Sequence, residues 1–147
     1  MGILQDEILK IKNLPKIVEE TIRETVQRFD HVLIDFVANK QMDRKGEDGE
    51  HKKLGNYSLG YARIRIKRNL QVEHIDLHFS GKFHASIEVF AGNDGFTMKS
   101  DVEYDKKLEE KYGPNLVLVQ DEYLKEFTDV YLAPAIIKNI YNELTRP

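Results

Sequence analysis

The stretch Ile75-Asp76-Leu77-His78-Phe79-Ser80-Gly81-Lys82-Phe83-His84-Ala85-Ser86-Ile87-Glu88-Val89 reads as two alternating strands hinged at Ser80-Gly81. On the first arm Ile75, Leu77 and Phe79 point one way and His74, Asp76 and His78 the other. On the second, Phe83, Ala85, Ile87 and Val89 alternate with His84, Ser86 and Glu88. One face of such a ribbon is a core face. Downstream, Ala91-Gly92-Asn93-Asp94-Gly95 is a dense turn cluster, and Phe96, Met98, Ser100 and Val102 alternate as a further strand. Upstream, the chain looks extended from Tyr57 through Lys67, with Ile64 and Ile66 on one side and Arg63, Arg65 and Lys67 on the other; helix is the open alternative there. Consecutive strands joined by short turns imply an antiparallel meander.

Helical periodicity flanks this sheet. From Pro15 to about Asn39, the positions Val18, Ile22, Val26, Phe29, Leu33 and Phe36 recur at three- and four-residue steps, as a single buried stripe requires, and Pro15 suits a first helical turn. Residues 1–13, with Ile3, Leu4, Ile8 and Ile11, read as an N-terminal arm or a first short helix. Asp101 is placed to cap a short helix carrying Tyr104, Leu108 and Tyr112 and ended by Gly113-Pro114. From Asp121, the stripe Tyr123, Phe127, Val130, Pro134, Ile137, Tyr141 and Leu144 predicts a long C-terminal helix that Pro134 kinks or breaks. The expected fold is α+β: an antiparallel sheet of three to four strands packed against the N-terminal and C-terminal helices.

A length of 147 residues favours one domain, 1–147, and 41% hydrophobic with 32% charged residues belongs to an ordinary folded chain. A net charge of −3 is too small to point to a partner. The absence of cysteine excludes disulfides, thiolate catalysis and cysteine-based zinc sites, and is consistent with a reducing cytoplasm. No apolar run approaches the roughly twenty residues that span a bilayer. Gln5-Asp6-Glu7 breaks the basic-then-apolar order of a signal peptide.

Residues 40–56 form a long charged loop, and its centre, Asp43 to Lys53, has no apolar residue; ordering on contact with a partner suits it. Arg44 and Lys45 occupy the inner positions that a calcium loop gives to oxygen ligands, so that pattern fails. His74, Asp76 and His78 share one strand face and are the candidate metal ligands, although neighbours on a flat strand diverge instead of closing a cage. Arg63, Arg65, Lys67 and Arg68 make a basic row able to follow a phosphate backbone or to keep a sheet edge from aggregating. Ser80 and Ser86, with His78 or His84 as base, are the remaining candidate nucleophile pairs, and neither serine sits on a strand-to-helix elbow. The reading is of a chain without catalytic residues and without a cofactor.

Ser80-Gly81, Phe83 and Ser86-Ile87 follow a pattern of Thr/Ser-Gly, an apolar residue, then Ser-Ile. In this the chain resembles the tail-completion, or virion-morphogenesis, proteins of tailed bacteriophages. Gln41-Met42 before a glycine-containing acidic loop, Tyr57, Asp76-Leu77 and Lys107-Leu108 with Tyr112-Gly113 are similar to variants in phages of Bacteroides-type hosts, including crAss-like phages. The resemblance spans roughly residues 20 to 145. Better-known members place Tyr-Ala and a Glu-x-Gly motif after the sheet, where this chain has the different run Asp101 to Gly113.

The resemblance implies a virion structural protein of the head–tail connector, neck or tail-completion ring, assembled in the host cytoplasm. Its partners would be further copies of itself in a homo-oligomeric ring and portal, adaptor or tail proteins, around a channel for DNA. The surfaces available for a head-to-tail ring contact are the arm at Ile3, Leu4 and Ile8 and the loop residues Asp43, Arg44, Glu47 and Asp48. The basic row would meet passing DNA only if it faced the lumen. The alternative functions are a small nucleic-acid-binding domain using residues 63–68 and a metal-dependent enzyme centred on His74, Asp76 and His78.

Overall fold

The structure is a computed structural model describing Gly2 to Pro147. Helix dominates it. In chain order the elements are α1 (Ile3–Arg28), α2 (Asp30–Asp35) running into a π-helical segment (Phe36–Lys45), α3 (Leu59–Lys67), α4 (Lys82–Ala85), β1 (Ile87–Ala91), β2 (Phe96–Ser100), α5 (Asp105–Tyr112), α6 (Asp121–Phe127) with a π-helical continuation (Thr128–Leu132), and α7 (Ala133–Thr145). The described residues contain one sheet, the antiparallel pair β1–β2, closed by the Gly92 N–H donating to the Gly95 carbonyl at 2.8 Å. The expected α+β fold with a sheet of three to four strands is therefore corrected to a mostly helical one with a single hairpin.

Two of the expected strands are absent for identifiable reasons. In residues 75–79 the Asp76 carboxylate accepts the His78 N–H at 2.8 Å, which curls the chain locally and sets Leu77 in the left-handed region at φ 57°. Gly81, at φ 86°, then opens α4 instead of a second strand arm, so Phe83 is buried from a helical turn and Ile87 from the first residue of β1. The run 61–67 is helical from Ser58, whose hydroxyl accepts the Tyr61 N–H at 3.3 Å. Its alternation is inverted: Ile64 and Ile66 are exposed, and Arg65 is buried.

The chain divides into two compact units: one of residues 1–30, 89–97 and 125–147, the other of 31–88 and 98–124. In the first, α1 and α7 pair antiparallel. Lys10 Nζ donates to the Arg146 carbonyl at 2.7 Å, and Asn139 donates to the Thr21 hydroxyl at 2.9 Å. The expected arm is the start of α1, which passes through Pro15 without ending, so Pro15 lies inside the helix and not in its first turn. Phe29 packs against Tyr131 with the rings tilted and their centres 4.5 Å apart, and Arg23 donates to the Asn93 side chain in the hairpin turn.

Pro134 neither breaks nor ends the C-terminal helix. A π-helical turn precedes it, and the wider turn accommodates the carbonyls that its missing N–H would otherwise serve.

In the second unit Leu33, Phe36, Val37 and Met42 form the core with Leu54, Ile75, Phe83, Leu116 and Val119. Tyr123 stacks on Phe36 with ring centres 5.0 Å apart. α5 begins four residues after Asp101, with Tyr104 as its N-cap, and ends at Gly113 with φ 96°.

Candidate functional site

The most chemically dense region lies in the second unit, around Arg65 and Asp76, which are 1% and 2% exposed. Arg65 reaches this position because α3 turns its side chain inward, toward the curled segment 71–78. Its Nη2 meets both Asp76 oxygens at 3.1 Å, its Nε donates to the Gln71 carbonyl at 2.8 Å and its Nη1 to the His78 carbonyl at 2.8 Å. The guanidinium also lies 4.2 Å from the Tyr57 ring centre.

Asp76 further accepts from the Tyr57 hydroxyl at 2.7 Å, from Gln71 Nε2 at 2.7 Å and from the His78 N–H at 2.8 Å. A buried ion pair persists when its remaining lone pairs and protons are satisfied in this way.

The electrostatics follow from these bonds. Burial works to raise the Asp76 pKa, but Gln71, the His78 N–H, Tyr57 and Arg65 together hold it below the ordinary carboxylate value. Burial raises the Tyr57 phenol, and its bond to the Asp76 carboxylate adds to this. Burial lowers the His84 imidazole, although its Nε2 is 2.8 Å from the Asp76 carbonyl. His78 lies against His84 with ring centres 5.0 Å apart.

A cleft of about 200 Å³ opens beside this network, lined by Tyr57, Tyr61, Phe79, Phe83, Tyr104 and Tyr112, with His78 and Lys82 among its polar groups. Tyr61 bridges the ring pairs, 5.3 Å from Tyr57 and 5.9 Å from Phe79.

The candidate metal ligands do not form a set. Asp76 is committed to Arg65, Gln71 and Tyr57, and His74 Nε2 is 2.7 Å from the Asp43 carbonyl, its ring packed on Gly46. Among the described residues no group of three or more His, Asp or Glu is arranged to hold a metal ion. Nor does either serine meet a histidine base through a hydrogen bond among the described residues: the Ser86 hydroxyl is 2.6 Å from both the Phe83 carbonyl and the Ser100 hydroxyl, and Ser80 accepts the Lys82 N–H.

The basic row is divided. Arg63 and Lys67 are exposed, but Arg65 is an internal ion-pair partner and not a DNA-facing residue, because a helix puts residues two apart on nearly opposite sides where a strand would have put them on one face. Arg68 is exposed and lies over the Phe79 ring at 4.6 Å.

The loop residues divide as well. Arg44 is exposed and Asp43 half-buried. Asp48 is buried and is corrected as an interface residue, since its carboxylate accepts the Glu50 and Lys52 N–H groups at 2.9 Å and so closes its own loop. Glu47, mostly buried, pairs with Lys53 at 3.6 Å and with His51 at 3.4 Å. The loop is held from beneath by Gln41 and Gln120, both wholly buried: Gln41 accepts the Gln120 N–H at 2.8 Å and donates to the Leu118 carbonyl at 2.9 Å, and Gln120 donates to the Asp48 carbonyl at 2.9 Å. The arm residues Ile3, Leu4 and Ile8, by contrast, are exposed on α1.

Sequence reasoning did not find the Tyr57–Asp76–Arg65–Gln71 cluster or the glutamine pair. One signal was present: Asp76, between Ile75 and Leu77, is an acidic residue inside an apolar run. Of the residues on which the sequence resemblance rests, Tyr57 and Asp76 are tied by a hydrogen bond of 2.7 Å, Leu77 and Gly81 have positive φ, and Phe83 is buried. No helix among the described residues is long and apolar enough to cross a membrane. The chain matches no protein-family model, no curated protein and no solved structure.

Proposed function

We propose that this chain is a non-catalytic virion assembly protein of the head–tail connector, neck or tail-completion type. The observation that carries the reading is where unsatisfied surface lies. The buried polar centre of the second unit has its charges and amides paired internally, as a scaffold requires. The first unit, in contrast, leaves Ile3, Leu4, Ile8 and Ile11 on α1, and Ile137 and Tyr141 on α7, in solvent. α3 of the second unit exposes Leu59, Ile64 and Ile66 as well, and exposed apolar groups gathered along helices are a mark of an association surface. The sequence resemblance supplies the setting, a ring of identical subunits meeting portal or tail proteins around the DNA channel.

The test is genetic and structural. Virions purified from a phage lacking this chain should contain filled heads that fail to join tails, and imaging of wild-type virions should place the chain at the neck or the tail end. Infectious particles of normal morphology that lack the protein would overturn the reading.

A further inference from the structure

The cleft beside the Arg65–Asp76 pair has walls from two parts of the second unit. Tyr57, Tyr61 and Phe79 form one, a row of rings with successive centres 5.3 and 5.9 Å apart. Tyr104, Leu108 and Tyr112 form the other, brought onto one face of α5 and its N-cap by four-residue spacing. Among the described residues no ring of the first wall contacts a ring of the second, so the space between them is open to a flat group. Tyr61, Phe79 and Tyr104 each remain more than one-third exposed. The first wall is fixed in place, because the Tyr57 hydroxyl donates to Asp76 at 2.7 Å and the Arg65 guanidinium lies 4.2 Å from the Tyr57 ring centre. A wall already held loses little freedom when a ligand stacks on it.

Charge at the cleft selects the ligand. Among the described residues no carboxylate lines it. Arg65 is neutralised by Asp76, but three further cations stand at the walls: Lys82 in the lining, Arg68 at 4.6 Å from the Phe79 ring centre and Lys111 at 5.3 Å from that of Tyr112. Rings edged by cations disfavour a cationic guest, which an aromatic cage would otherwise attract. They suit a flat ring that carries an anionic group.

Volume decides how much of that ligand enters. At about 200 Å³ the cleft is smaller than the roughly 300–1,000 Å³ of sites that enclose a whole drug-sized molecule. One ring system fits inside, with its charged substituent at the mouth. We infer that the cleft binds a nucleotide, with the base between the two aromatic walls and the phosphate on the cations Arg68, Lys82 and Lys111. A base stacks on aromatic side chains through its π-face whatever its identity, and guanidinium and ammonium groups bind phosphate by charge-assisted hydrogen bonds. The sugar keeps base and phosphate apart, as rings inside and cations outside require. A phosphotyrosine, with its phosphate directly on the ring, would carry the charge into the apolar gap. This site lies wholly in the second unit and is independent of the assembly reading above.

A free mononucleotide and an unpaired stretch of nucleic acid offer the same chemistry, and titration separates them. The isotope-labelled full chain is followed by its amide chemical shifts as adenosine monophosphate, thymidine monophosphate, adenosine and ribose phosphate are added. At least one monophosphate should saturably shift the amides of Phe79 to Lys82 and of Tyr104 to Tyr112. Its nucleoside and ribose phosphate should each bind roughly tenfold more weakly. Tyr104→Leu, which keeps apolar bulk but removes a ring, and Lys82→Ala should each weaken binding roughly tenfold while amides far from the cleft keep their shifts. If Tyr104→Leu fails to fold, Tyr61→Leu takes its place.

A short single-stranded oligonucleotide that binds much more tightly than the monophosphate, with a steep salt dependence, assigns the site to unpaired nucleic acid; equal affinity assigns it to the free nucleotide. The inference is overturned if neither monophosphate shifts these amides saturably, if nucleoside or ribose phosphate binds as well as the monophosphate, or if a phosphotyrosine peptide binds in preference to both.

Discussion

The two compact units spend their side chains differently. Around Asp76 and Gln120, the second unit buries charged and amide groups and pairs them with one another and with curled backbone. The first unit is held by a helix pair and contains few buried polar bonds, and its α1 and α7 leave a long run of apolar side chains exposed, as α3 of the second unit does on a shorter length with Leu59, Ile64 and Ile66. Burial of a paired charge makes a conformation specific and leaves nothing over for a partner, whereas an unmet apolar stripe does the opposite. The contrast separates what shapes this protein from what it offers to others.

The largest expected effect breaks the buried pair. Asp76→Asn keeps the shape but leaves the Arg65 guanidinium without its counter-charge, and should cost about 3–5 kcal/mol in urea unfolding. A loss below about 1 kcal/mol would remove the pair from the forces holding this unit. Next is Gly49→Ala, where a Cβ would lie 2.3 Å from the Leu118 carbonyl oxygen. Overpacking against backbone of this kind should cost about 1–3 kcal/mol, and melting at the wild-type temperature would show that the loop moves aside freely.

The pH dependence sharpens the same side of the comparison. A histidine with a lowered folded pKa takes up protons on unfolding, so stability falls as the pH drops through the unfolded value near 6.5. Asp76, lowered as a carboxylate, contributes stability that is present above its unfolded value and is lost as the pH falls through its folded one. Denaturant midpoints should therefore decline in two stages, with His84→Gln removing the upper stage alone. A flat midpoint between pH 7 and 5 in the wild type would contradict this.

The smallest effect belongs to the other side. Ile137→Ser, at a position 68% exposed, should change stability by no more than about 0.5 kcal/mol. A cost above about 2 kcal/mol in dilute protein would mean that this stripe is covered within the monomer.

The long helices were legible because three- and four-residue periodicity persists over many turns. The last helix and the strand pair of 87–100 appear near their expected positions, whereas α1 starts at Ile3, ahead of the expected Pro15, and ends at Arg28, short of the expected Asn39. The short apolar runs were not legible in the same way. Alternation over five residues at 63–67 and 75–79 fits a strand, but it fits equally a helix and a bend whose inward residue is polar. Backbone N–H groups donating to the Asp76 and Ser58 side chains, not propensity, decided between them. Arg65 therefore moved from an outward basic row to the interior, and Asp48 from an exposed loop to its anchor.

The sequence by itself determined the long helical stretches at the two ends of the chain, the hairpin turn at Gly92 to Gly95 and the absence of cysteine chemistry, because each rests on periodicity, local turn stereochemistry or composition. Only the tertiary structure decided which face of each helix found a partner. Apolar spacing records that a stripe can be buried, but burial requires a second surface. For Val26 and Phe127 that surface lies within the chain; for Ile8, Ile137 and Tyr141 it does not.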